Sequence, residues 1–77
     1  MKRVLKVIAV KAGYVEEHEY SQGESSYSVT DNVLKALDLN NYKFNAEFTE
    51  KCFLGPNSYH AADNPQIQEF KIELERV

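Results

Sequence analysis

The chain is expected to fold as a small α+β domain: a mainly antiparallel sheet of 3-4 strands with one α-helix packed on one face, in a ββαββ-like order. Three observations predict it. A β-branched run, Arg3 to Ala12 (RVLKVIAVKA), has apolar residues on both parities. A capped amphipathic stretch, Val29 to Leu39 (VTDNVLKALDL), has the spacing of one short helix. Two later segments, 43–54 and 67–77, alternate apolar and polar residues as half-buried strands do.

In the first run Val4, Leu5, Val7, Ile8 and Val10 suit a central strand covered on both faces. Gly13 marks a turn, and Tyr14 to Tyr20 (YVEEHEY) returns as a second strand. Tyr14, Glu16, His18 and Tyr20 would then share one face, with Val15, Glu17 and Glu19 on the other. That alternation is poor in apolar residues, so this strand is expected to be an exposed or edge element. The following SQGESS reads as a turn, because its Ser and Gly residues favour bends over ladder hydrogen bonds.

For the helix, Thr30 is placed to accept a bond from an amide of the first turn, and Asp31 adds negative charge at the positive end of the dipole. Val29 and Leu34 stand at the positions of a hydrophobic staple, while Val33, Leu34 and Leu37 form the apolar stripe. Asn40 and Asn41 tolerate the left-handed backbone that ends a helix. From Lys43 to Leu54, Phe44, Ala46, Phe48, Cys52 and Leu54 fall on one parity, predicting a strand with a bulge near Glu50. A helix competes there, since Phe48 and Cys52 are four apart and Gly55-Pro56 is a helix stop. In the last segment Phe70, Ile72 and Leu74 alternate with charged residues.

Seventy-seven residues with 43% hydrophobic side chains make a single compact domain, 1–77. A chain this short buries only ~60–65% of its extended-state surface, so its apolar segments must share one core. No apolar run approaches the ~20 residues of a membrane span. The opening MKRVLKVIAV has a basic start, but Lys6 and Lys11 interrupt the apolar stretch a signal peptide needs, so the segment reads as mature structure. Cys52 is the sole cysteine, which excludes an intrachain disulfide and points to the reducing cytoplasm.

Glu16, Glu17, His18 and Glu19 are the densest ionisable cluster, yet a metal site needs three or four converging ligands and the other imidazole, His60, is far along the chain. Neither a metal nor a cofactor is expected. Cys52, His60 and Asp63 supply the residue types of nucleophile, base and orienter. Cys52, however, lies on the apolar parity, where a free cysteine is a small hydrophobe, so no catalytic residue is assigned. Lys2, Arg3, Lys6 and Lys11 give the first strand a basic character that suits single-stranded nucleic acid as an alternative ligand. The net charge of −3 opposes that reading. A small metal- or cysteine-dependent enzyme is the second alternative.

Charge segregation carries the functional expectation. No Lys or Arg occurs from Ala12 through Leu34, where Glu16, Glu17, Glu19, Glu24 and Asp31 are interspersed with Tyr14, Tyr20 and Tyr27. Acidic residues beside tyrosines suit docking to a basic protein surface, with charge steering the encounter and rings supplying contact area. The expected contact set is Tyr14, Glu16, Glu17, Glu19, Tyr20, Glu24 and Tyr27, joined by Tyr59 and His60 from the loop 55–65. The expected function is a non-enzymatic inhibitor or adaptor, in size and charge like small phage-encoded anti-defence proteins that cover nucleic-acid sites. An uncovered sheet face would also allow a homodimer.

Overall fold

In a computed structural model of the chain, residues 2–41, 46–55 and 57–73 are described. Four strands, β1 (Lys2–Val10), β2 (Gly13–Ser21), β3 (Glu24–Thr30) and β4 (Gln66–Glu73), form one antiparallel sheet in the order β3-β2-β1-β4. One helix, α1 (Ala46–Leu54), packs on it. The architecture is an antiparallel sheet with one helix, as expected, but three strands precede the helix and one follows it. The ββαββ order is therefore corrected to βββαβ.

The missed strand is β3. Within SQGESS only Gln22 and Gly23 turn, with φ of 52° and 78°, the left-handed pair that matches a two-residue hairpin to strand twist. Glu24 and the serines already lie in β3, paired through Ser21↔Glu24, Tyr20↔Ser25 and Glu19↔Ser26. β3 takes the edge, and β2 lies inside the sheet rather than at its margin. The turn before β2 requires Gly13: its φ is 144°, and a Cβ there would sit 2.7 Å from the Thr30 carbonyl oxygen.

The helix expected over 29–39 is not formed. Val29 and Thr30 finish β3, a single 3-10 turn covers Val33–Lys35, and Ala36 is already extended. Asn32, not Thr30, caps that turn, accepting the Leu34 amide at 3.0 Å. Tertiary demand outweighs helix propensity here. β1 and β2 pair only at Ala9↔Tyr14 and Val10↔Gly13 and then part. Residues 37–40 bridge the gap as a strap: Leu37 N–H donates to the Val15 carbonyl (2.9 Å) and Leu39 N–H to the Lys6 carbonyl (2.8 Å). Asp38 Oδ1 accepts the amides of Lys6 and Asn40, and the Asn40 side chain donates to the Val4 carbonyl.

The strand expected over 43–54 is a helix in its described part. The i, i+3, i+6, i+7 spacing of Ala46, Thr49, Cys52 and Phe53 turns these side chains toward the sheet, and Phe53, the misfit of the alternating pattern, is 1% exposed. Glu47 in its first turn and Lys51 in its last suit the dipole. Residues 43–45 lie outside the described residues, as do Leu74 to Val77 of the last predicted strand. Glu50, expected at a bulge, instead meets Lys6 Nζ at 2.7 Å.

The main core joins Ile8, Val15, Leu39, Cys52 and Phe53, with Val10, Tyr27, Leu37, Ala46 and Ile67 around it. Leu5 and Val7, on the opposite parity of β1, are buried too, and their face also carries Tyr14 and Phe70, whose rings meet edge to face at 5.9 Å. A central strand covered on both faces is what the apolar run of β1 requires. Asp38→Ala is expected to lower stability by about 2–3 kcal/mol in urea unfolding, since the Lys6 amide loses its acceptor. Asp38→Asn keeps an oxygen at that place and should cost distinctly less.

Candidate functional site

A register shift in β2 between Val15 and Glu17 decides which side chains meet. Strict alternation would put Val15, Glu17 and Glu19 together. The bulge at Glu16 rephases the strand, so Val15, His18 and Tyr20 face the helix, whereas Tyr14, Glu17 and Glu19 face away from it. Pairing carries the division into β3: Ser25 and Tyr27 are on the helix side, Ser26 and Ser28 on the outer side.

On the helix side a chain of polar groups joins the hairpin to the loop after α1. Ser25 Oγ lies 2.7 Å from His18 Nε2 and 2.9 Å from His60 Nε2. Thr49 Oγ1 is 3.5 Å from His18 Nδ1, and Tyr27 donates its phenol proton to Asp63 Oδ2 at 2.5 Å. One tautomer assignment satisfies the whole series. Thr49 donates to His18 Nδ1, His18 Nε2–H to Ser25, and Ser25 O–H to His60 Nε2, leaving His60 Nδ1–H toward Asp63 Oδ2 at 4.0 Å. The reverse order would aim a ring lone pair at the carboxylate.

Burial holds both imidazoles below their usual pKa. For His18 the neighbouring His60 adds to that effect, and for His60 the Asp63 carboxylate opposes it. The Tyr27 phenol is pushed up to about 12, first by burial and then by its bond to Asp63. Rings surround the series: Phe53 lies 4.8 Å from His60, 5.1 Å from Tyr27 and 5.6 Å from His18. Tyr20 packs edge-on against Phe48 at 4.8 Å and against Tyr59 at 5.9 Å.

The expected nucleophile, base and orienter do not form a working array. Cys52 is buried, and burial raises its thiol pKa against the opposing Ser25 hydroxyl, so it is no poised thiolate. Ser25, rather than Cys52, faces His60 Nε2, a placement hidden in the turn-like SQGESS. Ser25 Oγ is engaged by two imidazoles at once, and the 4.0 Å from His60 Nδ1 to Asp63 is too long for an orienting hydrogen bond. The series is a satisfied internal network that pins the hairpin to the body. Among the described residues no three His, Cys, Asp or Glu side chains are grouped to hold a metal ion.

The outer side of the hairpin is different in kind. Glu17 and Glu19 are exposed, about 7 Å apart along the strand. They stand opposite Ser28 and Ser26, and Glu24 follows at the turn. Small serines beside long glutamates leave a depression of about 230 Å³, lined by Glu17, Glu19, Ser26, Tyr27 and Ser28. Glu16 lies at the bulge, partly exposed.

The expected contact residues are thus divided between two faces. Glu17, Glu19 and Glu24 are displayed outward, and Tyr14 stands farther along the same face against Phe70. Tyr27 turns inward. His60 is mostly buried, with its side chain 12% exposed, and belongs to the network. Tyr20 (45% exposed) and Tyr59 (53%) face the helix side, with their hydroxyls 3.3 Å apart. Of the basic residues of β1, Lys6 is held by Glu50, and Arg3 Nη2 lies 3.8 Å from Asp38 Oδ2. No described helix is long and apolar enough to cross a membrane.

Comparison with protein-family models, curated proteins and solved structures returns no match.

Two outcomes follow from the network. A histidine whose folded pKa is lowered contributes stability that is complete above about pH 6.5 and declines as pH falls toward the folded value. The urea midpoint should therefore drop between pH 7.5 and 5.5, and less steeply in His60→Gln, whose amide gains no proton. Spectrophotometric titration should show one tyrosine ionising near pH 12, a component absent in Tyr27→Phe.

Proposed function

We propose that the chain is a non-enzymatic protein-binding module that docks the outer, acidic side of its β2–β3 hairpin on a basic protein surface, as a small inhibitor or adaptor does. The observation that carries this reading is the outer face itself. Glu17, Glu19 and Glu24 project from the β2–β3 hairpin, and no Lys or Arg occurs between Ala12 and Leu34 to neutralise them. Complementary charge of this kind raises association rates and rejects wrong partners more than it adds affinity. The aromatic pair Tyr20 and Tyr59 lies on the other side and belongs to a separate surface.

Engagement of the β1 cations favours this reading over nucleic-acid binding. Lys6 and Arg3 are drawn to carboxylates, which leaves Lys2 and Lys11 exposed at opposite ends of the strand. Phosphate recognition relies on several converging cations. The occupied Ser25 hydroxyl and buried Cys52 favour binding over catalysis.

The test reverses charge where the structure displays it. Glu17→Lys with Glu19→Lys and Glu24→Lys should retain the native circular dichroism, because these side chains are exposed. The same variant should abolish recovery of the basic partner that the unaltered chain captures by cross-linking. A captured partner indifferent to the triple change would overturn the proposal, as would tight oligonucleotide binding with steep salt dependence.

A further inference from the structure

We infer that the partner is held by strand addition: an extended segment with a basic residue at every second position pairs with the free edge of β3. The inference rests on the protein-binding reading above and specifies its geometry.

The direction of each backbone group follows from the bonds of β1 and the register. Lys6 uses both its amide and its carbonyl on the strap, so the even residues of β1 point away from β4, toward β2. Val10↔Gly13 is then a hydrogen-bonded pair and Tyr14 points toward β3, so that Thr30, Ser28, Ser26 and Glu24 turn their backbone groups inward to β2. Two independent features agree. The Val15 carbonyl is taken by Leu37 from the β1 side, and Ser21↔Glu24 closes a two-residue hairpin. The amides and carbonyls of Ser25, Tyr27 and Val29 therefore point out of the sheet, and among the described residues no backbone bond from another segment reaches them.

The two sheet edges are protected unequally. β4 follows Pro65 and carries exposed Glu69, Lys71 and Glu73, the charged blunting that discourages pairing. β3 (ESSYSVT) contains no Lys, Pro or Gly, and its one charge, Glu24, is at the turn. A strand added to β3 would lie about 4.8 Å beyond it. Its outward side chains would stand next to Ser26 and Ser28, small enough for a Lys or Arg to cross them and reach Glu19 and Glu17 in the depression between. Side chains of the other parity would meet Tyr27 and Val29, the latter 38% exposed, which suits β-branched residues. A second copy of this chain fits less well, since it would bring another set of glutamates to the same edge.

The test uses the full chain and a capped ten-residue peptide alternating arginine with threonine. Amide exchange at Ser25, Tyr27 and Val29 should slow at least tenfold on saturation, with affinity falling as salt rises. Val29→Pro removes an outward N–H without touching the β2 ladder, and should weaken binding tenfold or more. The same peptide N-methylated at alternate residues, so that its edge cannot pair, should not bind at all, which serves if Val29→Pro disturbs folding. Peptide binding that shifts Glu17 and Glu19 while those three amides exchange unchanged would overturn strand addition and leave acidic docking standing. Dimerisation through β3 that excludes the peptide would overturn the inference, as would absence of binding. Absence of binding together with oligonucleotide binding would overturn both readings.

Discussion

The rest of the fold depends on closing the gap that opens where β1 and β2 part company. A buried strand cannot leave its amides and carbonyls without partners, and beyond Ala9↔Tyr14 no strand among the described residues pairs with the β2-facing side of β1. Asp38 and its neighbours supply the missing partners in an irregular way. One carboxylate oxygen takes two amides, while the other is buried with no hydrogen bond among the described residues and lies 3.8 Å from the Arg3 guanidinium. The strap also delivers Leu37 and Leu39 to the core, so one short segment completes the ladder and the packing together.

The bulge at Glu16 is the second organising feature, and it separates two chemistries. Without it Val15 would share a face with Glu17 and Glu19, and either an apolar side chain would be wetted or two carboxylates buried. With it, the buried side gains His18 and Tyr20 and the outer side becomes uniformly acidic and hydroxylic. The division of rings from carboxylates is thus a consequence of backbone geometry, and it limits any single partner surface to one of the two sets.

Much of this was legible in the residues and some was not. β1 and β4 follow from β-branched density and alternation, and β2 from the turn at Gly13 that sends the chain back; these are local properties. The segment 29–39 carries caps and a stripe that favour a helix in isolation, but the need to fill the β1–β2 gap is non-local and outweighs them. In 46–54 the alternating parity and the helical spacing both fit, and burial of Phe53 decides between them. β3 is masked by serines, which resemble turn residues until their partners on β2 are known. The outward carboxylates at 17, 19 and 24 could be read from charge alone. The Ser25–His60 contact spans 35 residues and had no local signal.

The distal part of the hairpin has a mechanical consequence. From Val15 to Ser21, β2 has register partners only in β3, and a two-stranded ribbon alone is marginal in water. Beyond the Leu37 amide on the Val15 carbonyl, its attachment to the body runs through side chains, chiefly His60 on Ser25, Thr49 on His18, the Tyr27 phenol on Asp63 and the rings against Phe53 and Phe48. Loosening these few clasps would free the ribbon beyond Val15 as a unit hinged at the Glu16 bulge, while Val15, β1, β4 and the strap stay closed. Opening of this ribbon is expected to cost less than complete unfolding.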